Sequence, residues 1–201
     1  MKLLQLPSDL MLSHDGVRLE LLDCRHEADL VQACQDGNLW ELLYTSAPSP
    51  DKVHEYIATA HAMTDRVAFA VIDETTGHAI GSTSYHDILP HCLRLEIGYT
   101  WYAKSYWRTR VNTACKFLLM RYAFEVLSYQ TVALRTSSLN ARSQAAIERL
   151  GVKKDGIIRN QRTTQDGIIC DTVMYSITAD EWPNVKHNLQ QKMQQHQGQH
   201  D

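Results

Sequence analysis

Apolar and polar residues alternate over residues 17–22 (VRLELL), directly after the turn-forming His14, Asp15 and Gly16, and this period of two predicts a first strand. The period then becomes helical over residues 25–34. A second helix is expected over about residues 50–63, where Val53, Tyr56, Ile57 and Ala60 recur at helical spacing, with Ser49 suited to cap it and Pro50 to open it. Residues 67–72 (VAFAVI) are apolar throughout, and the turn Thr75, Thr76, Gly77 leads into residues 78–85, so the two segments predict a hairpin that residues 93–101 extend. Residues 113–127 contain Ala114, Phe117, Leu118, Met120, Phe124 and Leu127, too apolar a set for a surface helix, and should pack deeply on a sheet. A strand at 131–136 (TVALRT), a helix at 141–150 closed by Gly151, and a hairpin of 157–161 with 168–177 around Gln165, Asp166 and Gly167 complete the pattern.

The order β–α–α–β–β–β–α–β–α–β–β fits an α/β (α+β) fold in which helices flank a mixed sheet. At 201 residues and 44% hydrophobic content the chain can build one sizeable core. One domain is expected over residues 1–186. After Trp182 the chain becomes rich in Gln and His, and residues 190–201 have too little apolar content to fold alone, so 187–201 is expected to be a disordered tail.

Charge and cysteine usage remove several classes of function. Twenty basic against 23 acidic residues leave a formal charge of −3, without the basic field that holds proteins on nucleic acid, and direct nucleic-acid binding is not expected. The five cysteines are widely spaced, form no C-x-x-C pair, and read as reduced, mostly buried thiols. No segment has membrane-spanning length and no leader pattern opens the chain, so a cytoplasmic protein without membrane partners is expected. The histidines follow no ligand spacing: His54 and His61 lie seven apart, His86 and His91 flank a loop, and no catalytic metal is expected.

The candidate chemistry lies in residues 95–113 (LEIGYTWYAKSYWRTRVNT) and 139–151 (LNARSQAAIERLG). The first reads as strand, loop and helix start, a geometry that aims free N–H groups at a phosphate. Together the two segments resemble the acetyl-CoA site of GNAT-type N-acetyltransferases, and the surrounding EIGYTW and NT-x-x-K-x-L-L resemble the branch that contains ribosomal-protein N-terminal acetyltransferases. The resemblance covers roughly residues 15–182. It implies the GNAT fold, a central, mostly antiparallel sheet of about seven strands, with acetyl-CoA as co-substrate.

In that family a loop with the pattern Arg/Gln-x-x-Gly-x-Gly/Ala wraps the pyrophosphate of CoA. The aligned residues here are Trp107, Arg108, Thr109, Arg110, Val111 and Asn112, followed by Thr113, and all three diagnostic positions differ. Glycine permits close backbone approach and positive φ, whereas Arg110 carries a Cβ. The loop gains two guanidinium groups instead, and these suit phosphate well. Arg108 and Arg110 are therefore expected on the cofactor phosphates, with solvated loop arginines as the alternative.

The resemblance also assigns roles. Glu96 matches a general-base position, although it could equally be a structural carboxylate paired with Arg94 or Arg135. Backbone N–H groups around Tyr99, Thr100, Trp101 and Tyr102 would face the thioester. Asn140 would contact the pantetheine arm and Ser143 the leaving sulfur, while both also suit helix capping. The family's tyrosine acid is replaced by Ile147, which leaves Ser143, a water, or Tyr175 as donor. Trp101, Tyr102, Tyr106 and Trp107 could line an acceptor groove or simply pack.

The expected activity is acetyl transfer from acetyl-CoA to a primary amine by direct attack in a ternary complex. A protein N-terminus and a small-molecule amine are both open as acceptor, and a homodimer is allowed. The alternatives are a GNAT-like CoA-binding module without catalysis and an interaction protein acting through its Gln/His-rich end.

Overall fold

Residues 67–72 are apolar on both sides because both faces of their strand are covered. Val67, Phe69 and Val71 join one core, and Ala68, Ala70 and Ile72 face the other, the pattern of a strand in the middle layer of a sandwich. The structure, a computed structural model, describes residues 2–197, the last three by backbone alone.

The elements are β1 (Met11–His14), β2 (Val17–Leu21), α1 (Glu27–Gln35), α2 (Val53–Ala62), β3 (Val67–Asp73), β4 (Ala79–Leu89), β5 (Arg94–Tyr102), α3 (Val111–Arg121), β6 (Thr131–Ser137), α4 (Ala141–Glu148), β7 (Lys153–Thr163), β8 (Ile169–Thr178) and α5 (Trp182–Gln197). The sheet order is β1-β2-β3-β4-β5-β6-β8-β7. Among the described strands β5 and β6 pair in parallel, and the other neighbours pair antiparallel. Leu30, Ala33 and Cys34 of α1 and Val53, Ile57 and Ala60 of α2 cover one face, while α3 and α5 cover the other. The mixed α/β fold expected from the sequence is thus present.

Two expectations change. The sheet has eight strands rather than about seven, because residues 11–14 form an edge strand ahead of the turn at Asp15 and Gly16. Four residues with Met11 exposed leave no readable alternation there. Asp15 and Gly16, at φ 54° and 71°, form a two-residue hairpin turn in which both central residues need positive φ.

The second change concerns the expected tail. Residues 187–197 continue α5, and residues 198–201 lie outside the described residues. Trp182, Val185, Leu189 and Met193 recur at three- and four-residue spacing and are all buried, with the Trp182 ring 5.4 Å from Phe124 and 6.2 Å from Phe117. One apolar residue per turn cannot fold a helix alone, but it suffices to dock one on a neighbour. Leu189→Ala should cost about 2–4 kcal/mol in urea unfolding, and deletion of residues 187–201 at least as much. An unchanged midpoint would make the segment a dispensable tail.

Candidate active site

The parallel ladder between β5 and β6 covers only Arg94–Glu96 against Thr131–Ala133, although β5 runs on to Tyr102 and β6 to Ser137. Past Glu96 the two strands part, and the β5 edge facing the gap has no ladder partner. The other edge of β5 is irregular as well. Ser84 pairs with Gly98 and Ser82 with Trp101, so β5 carries one residue more than β4 and bulges, with Tyr99 at φ 49°. A cleft of about 1610 Å³ opens at this point. Asn112 and Thr113, in the first turn of α3, lie on its wall, where the leading N–H groups of a helix have no intrahelical partner.

Tyr99 is held from two sides. The Arg66 guanidinium stands 3.9 Å from its ring centroid, and the His86 ring meets it edge-on at 5.1 Å. Gly98 makes room for this packing, since a Cβ there would lie 2.2 Å from His86 Nε2. Arg66 Nε donates to Ser84 Oγ (3.0 Å) and Nη2 to the Tyr56 hydroxyl (2.8 Å), which also accepts from Trp101 Nε1 (3.3 Å).

Glu96 is buried one layer behind the cleft wall. Its Oε2 lies 3.4 Å from Arg135 Nε but makes no hydrogen bond to a described residue. Arg135 also grips Asp87 at 2.6 Å, and the hydrogen bond from His86 together with Arg135 holds that carboxyl below its usual range. His86, Asp87 and Glu96 present ligand atoms within 4.8 Å of one another. Both carboxylates are already bridged by the fixed cation of Arg135. Of the two pairings open to Glu96, the structure contains the one with Arg135.

Lys116 enters the same cleft from α3. It is 5% exposed, its Nζ donates to Thr100 Oγ1 at 2.7 Å, and Thr100 Oγ1 lies 2.8 Å from Thr83 Oγ1. Burial pushes its pKa down to about 8. The adjacent Cys115 thiol is pushed up to about 12 by burial, stays neutral, and provides no counter-charge.

The loop residues divide. Trp107, Arg108, Thr109, Asn112 and Thr113 line the cleft, with Arg108 exposed. The left-handed residue is Arg108, at φ 62°, whereas Arg110, where positive φ was a concern, is ordinary αR at φ −63°. Arg110 leaves the cleft: its Nε donates to the Asp15 carbonyl (2.7 Å), and its Nη2 would lie 2.5 Å from a Cβ at Gly16. The Val111 side chain joins the core and its N–H donates to Thr109 Oγ1 at 3.3 Å. The Arg142 guanidinium lies over the Trp107 ring, at 4.1 Å.

Asn140 and Ser143 both reach the cleft, and Asn140 Oδ1 caps α4 by accepting from the Ser143 N–H at 3.0 Å. Tyr99, Thr100 and Trp101 line the cleft as expected. Tyr175 is fully buried away from it, its hydroxyl donates to Glu148 (3.0 Å), and its pKa is pushed up to about 12. It is therefore a core residue and not a candidate acid.

The sequence profile of the acetyltransferase (GNAT) domain matches residues 17–153, and the chain belongs to this family. It is 34% identical over 110 residues to a Bacillus subtilis (strain 168) protein named "Putative ribosomal N-acetyltransferase YdaF"; the match covers 55% of this chain and 59% of that protein, a little over half its length. A GCN5-related N-acetyltransferase from Brucella melitensis superposes with a TM-score of 0.83 at 28% identity, over 93% of this chain and 86% of its own. A T. thermophilus protein described as a "putative acetyltransferase" gives a TM-score of 0.81 at 30% identity, over 94% and 99% of the two chains. The GNAT resemblance read from residues 95–113 and 139–151 is thereby met.

Arg66 and Arg142 are cleft residues to which the sequence patterns gave no role, and His86 and Lys116 were noted only as a histidine without ligand spacing and as the lysine of NT-x-x-K-x-L-L. A readable signal existed for Lys116 alone, as a lysine inside an otherwise apolar helix. A free lysine titrates near 10.4, so between that value and about 8 the unfolded chain holds a proton that the native state lacks, and native stability rises with pH through this window. Lys116→Met should therefore raise Tm at pH 7, where the buried charge costs most, and the advantage should shrink between pH 8 and 10. A pH-independent difference would show that Lys116 does not titrate there.

Proposed function

We propose that the chain is an acetyl-CoA-dependent N-acetyltransferase that acetylates a primary amine by direct attack in a ternary complex. The observation that carries this reading is the parting of β5 and β6 after three paired residues, in front of the first turn of α3. A thioester entering that gap meets β5 N–H groups without ladder partners, which can stabilise the oxyanion of a tetrahedral intermediate. The free N–H groups at the start of α3 and the cations of Arg108 and Arg142 suit the cofactor phosphates. The lost loop glycines are offset by charge.

Glu96, whose Oε2 faces Arg135 but accepts no hydrogen bond from a described residue, serves as the general base. Because it lies behind the wall, it takes the ammonium proton through a water or through His86. Ser143, on the wall at the start of α4, protonates the departing thiolate, a modest demand on the acid given a free thiol pKa near 8.5. None of the cysteines is needed as an acetyl carrier, and all five are free thiols, which suits a reducing cytoplasm. No helix of the described residues is long and apolar enough to cross a membrane. A protein N-terminus is a natural acceptor, in line with the ribosomal substrate in the name of the B. subtilis relative, and a small amine fits the same chemistry.

Acetyl-CoA should raise Tm and bind saturably by calorimetry; failure of both would sink the enzyme reading together with the non-catalytic CoA-binding alternative. Arg108→Ala should raise the CoA dissociation constant about tenfold. Arg110→Ala should leave that constant nearly unchanged and lower Tm, because its guanidinium fastens the β1–β2 turn. In an acceptor screen that follows release of free CoA, Glu96→Gln should lower kcat roughly 100-fold at unchanged KM for acetyl-CoA. Binding with no turnover on any amine would instead favour the non-catalytic module.

A further inference from the structure

Arg66 is the largest fully buried side chain in the protein, at 2% exposure, and it is a cation. The hydrogen-bond and ring partners of its guanidinium are neutral, namely the hydroxyls of Ser84 and Tyr56 and the rings of Tyr99 and Tyr56, at 3.9 and 5.0 Å, and the charged neighbour Lys2, on the Arg66 carbonyl, is itself a cation. Among the described residues no carboxylate comes within 4.0 Å of it. Arginine cannot shed its proton to escape burial, so the charge persists. Two hydroxyls and two ring faces ease that charge without neutralising it.

The surroundings add positive charge. Arg135 and Arg162 line the same cleft; Arg162 is exposed at its rim, within electrostatic reach of Arg135, Glu96 and Tyr99, and desolvation and the Arg135 charge hold it below its usual pKa. Asp87 and Glu96 both face Arg135, and Glu55, also on the cleft wall, is paired with Lys52. Three guanidiniums thus meet two carboxylates. The excess lies at Tyr99, within β5, whereas the phosphate-facing loop of residues 107–113 follows the end of that strand at Tyr102. The CoA phosphates therefore do not account for it.

We infer that Arg66, with Arg162, forms an anion subsite for the acceptor, which is a primary amine that also carries a carboxylate. This rests on the acetyltransferase reading above. The arrangement has a second effect on the reaction. Guanidiniums near the incoming ammonium favour its neutral, nucleophilic form, while the acceptor carboxylate offsets the repulsion. An acceptor without an anion would bring its positive charge against unbalanced arginines.

Binding of N-acetylated products tests the subsite without requiring turnover. Titration of the CoA-bound protein, read by fluorescence of Trp101 and Trp107, would compare N-acetylalanine with its amide and acetyl-Ala-Glu-amide with acetyl-Ala-Gln-amide. The carboxylate member of at least one pair should bind about tenfold tighter or better. The first pair would identify a free amino-acid acceptor and the second an acidic peptide terminus. Arg66→Met should erase the preference while Arg66→Lys keeps part of it, and the wild-type comparison stands if either variant fails to fold. Equal affinities within both pairs, or no measurable binding of a carboxylate member, overturns the inference. Preferential carboxylate binding without acetyl transfer to any amine would retain the subsite and remove only the acetyltransferase reading.

Discussion

The short parallel ladder between β5 and β6 is the constraint from which the rest of the site follows. A sheet that pairs Arg94–Glu96 with Thr131–Ala133 and then opens must leave the far half of β5 unpaired on one edge. Unpaired buried N–H and C=O groups are costly, and natural structures rarely tolerate them away from water or ligand. The cleft admits both. On the opposite edge, the extra residue at Tyr99 turns β5 and directs its ring between Arg66 and His86. A strand that were regular on both edges would close the gap and would have no reason to place Gly98 under an imidazole.

The cleft gathers buried charge that the fold would be better without. Lys116 stands on the apolar face of α3 against Thr100, and Arg66 is enclosed by hydroxyls and aromatic rings. Neither has a carboxylate partner among the described residues, whereas Arg135, between Asp87 and Glu96, has two. Replacing buried ionic groups with packed apolar ones is often neutral or stabilising. Unpaired cations concentrated in one cleft are therefore better explained by what the cleft binds than by stability.

The sequence made the layers legible wherever one strand or helix carried its own pattern. Residues 67–72 announced a two-faced strand, residues 113–127 a buried helix, and Gly77 and Gly167 their hairpins. It was silent where an element depends on its neighbour. The edge strand β1 has only four residues, and α5 is held by one apolar side chain per turn against α3, so neither satisfies a composition rule. Within the site, the strand–loop–helix and the Asn140–Ser143 pair were legible because their spacing is local. Arg66, fifty residues from Lys116, was not, because only the folded sheet places it against Tyr99, in the cleft where Lys116 meets Thr100.

The loop shows how the same physical demand can be met from different positions. Glycine would have allowed a left-handed residue in this loop without strain. Here an arginine, Arg108, takes φ 62° at some cost in strain, and it remains exposed in the cleft. Arg110 is instead drawn away by the Asp15 carbonyl, which ties the start of α3 to the first hairpin. The tie works only because Gly16 has no side chain: a Cβ would collide with the guanidinium. A glycine has thus been retained in contact with the loop, but on the β1–β2 turn, and the freedom it gives is used to fix the helix that faces the cleft.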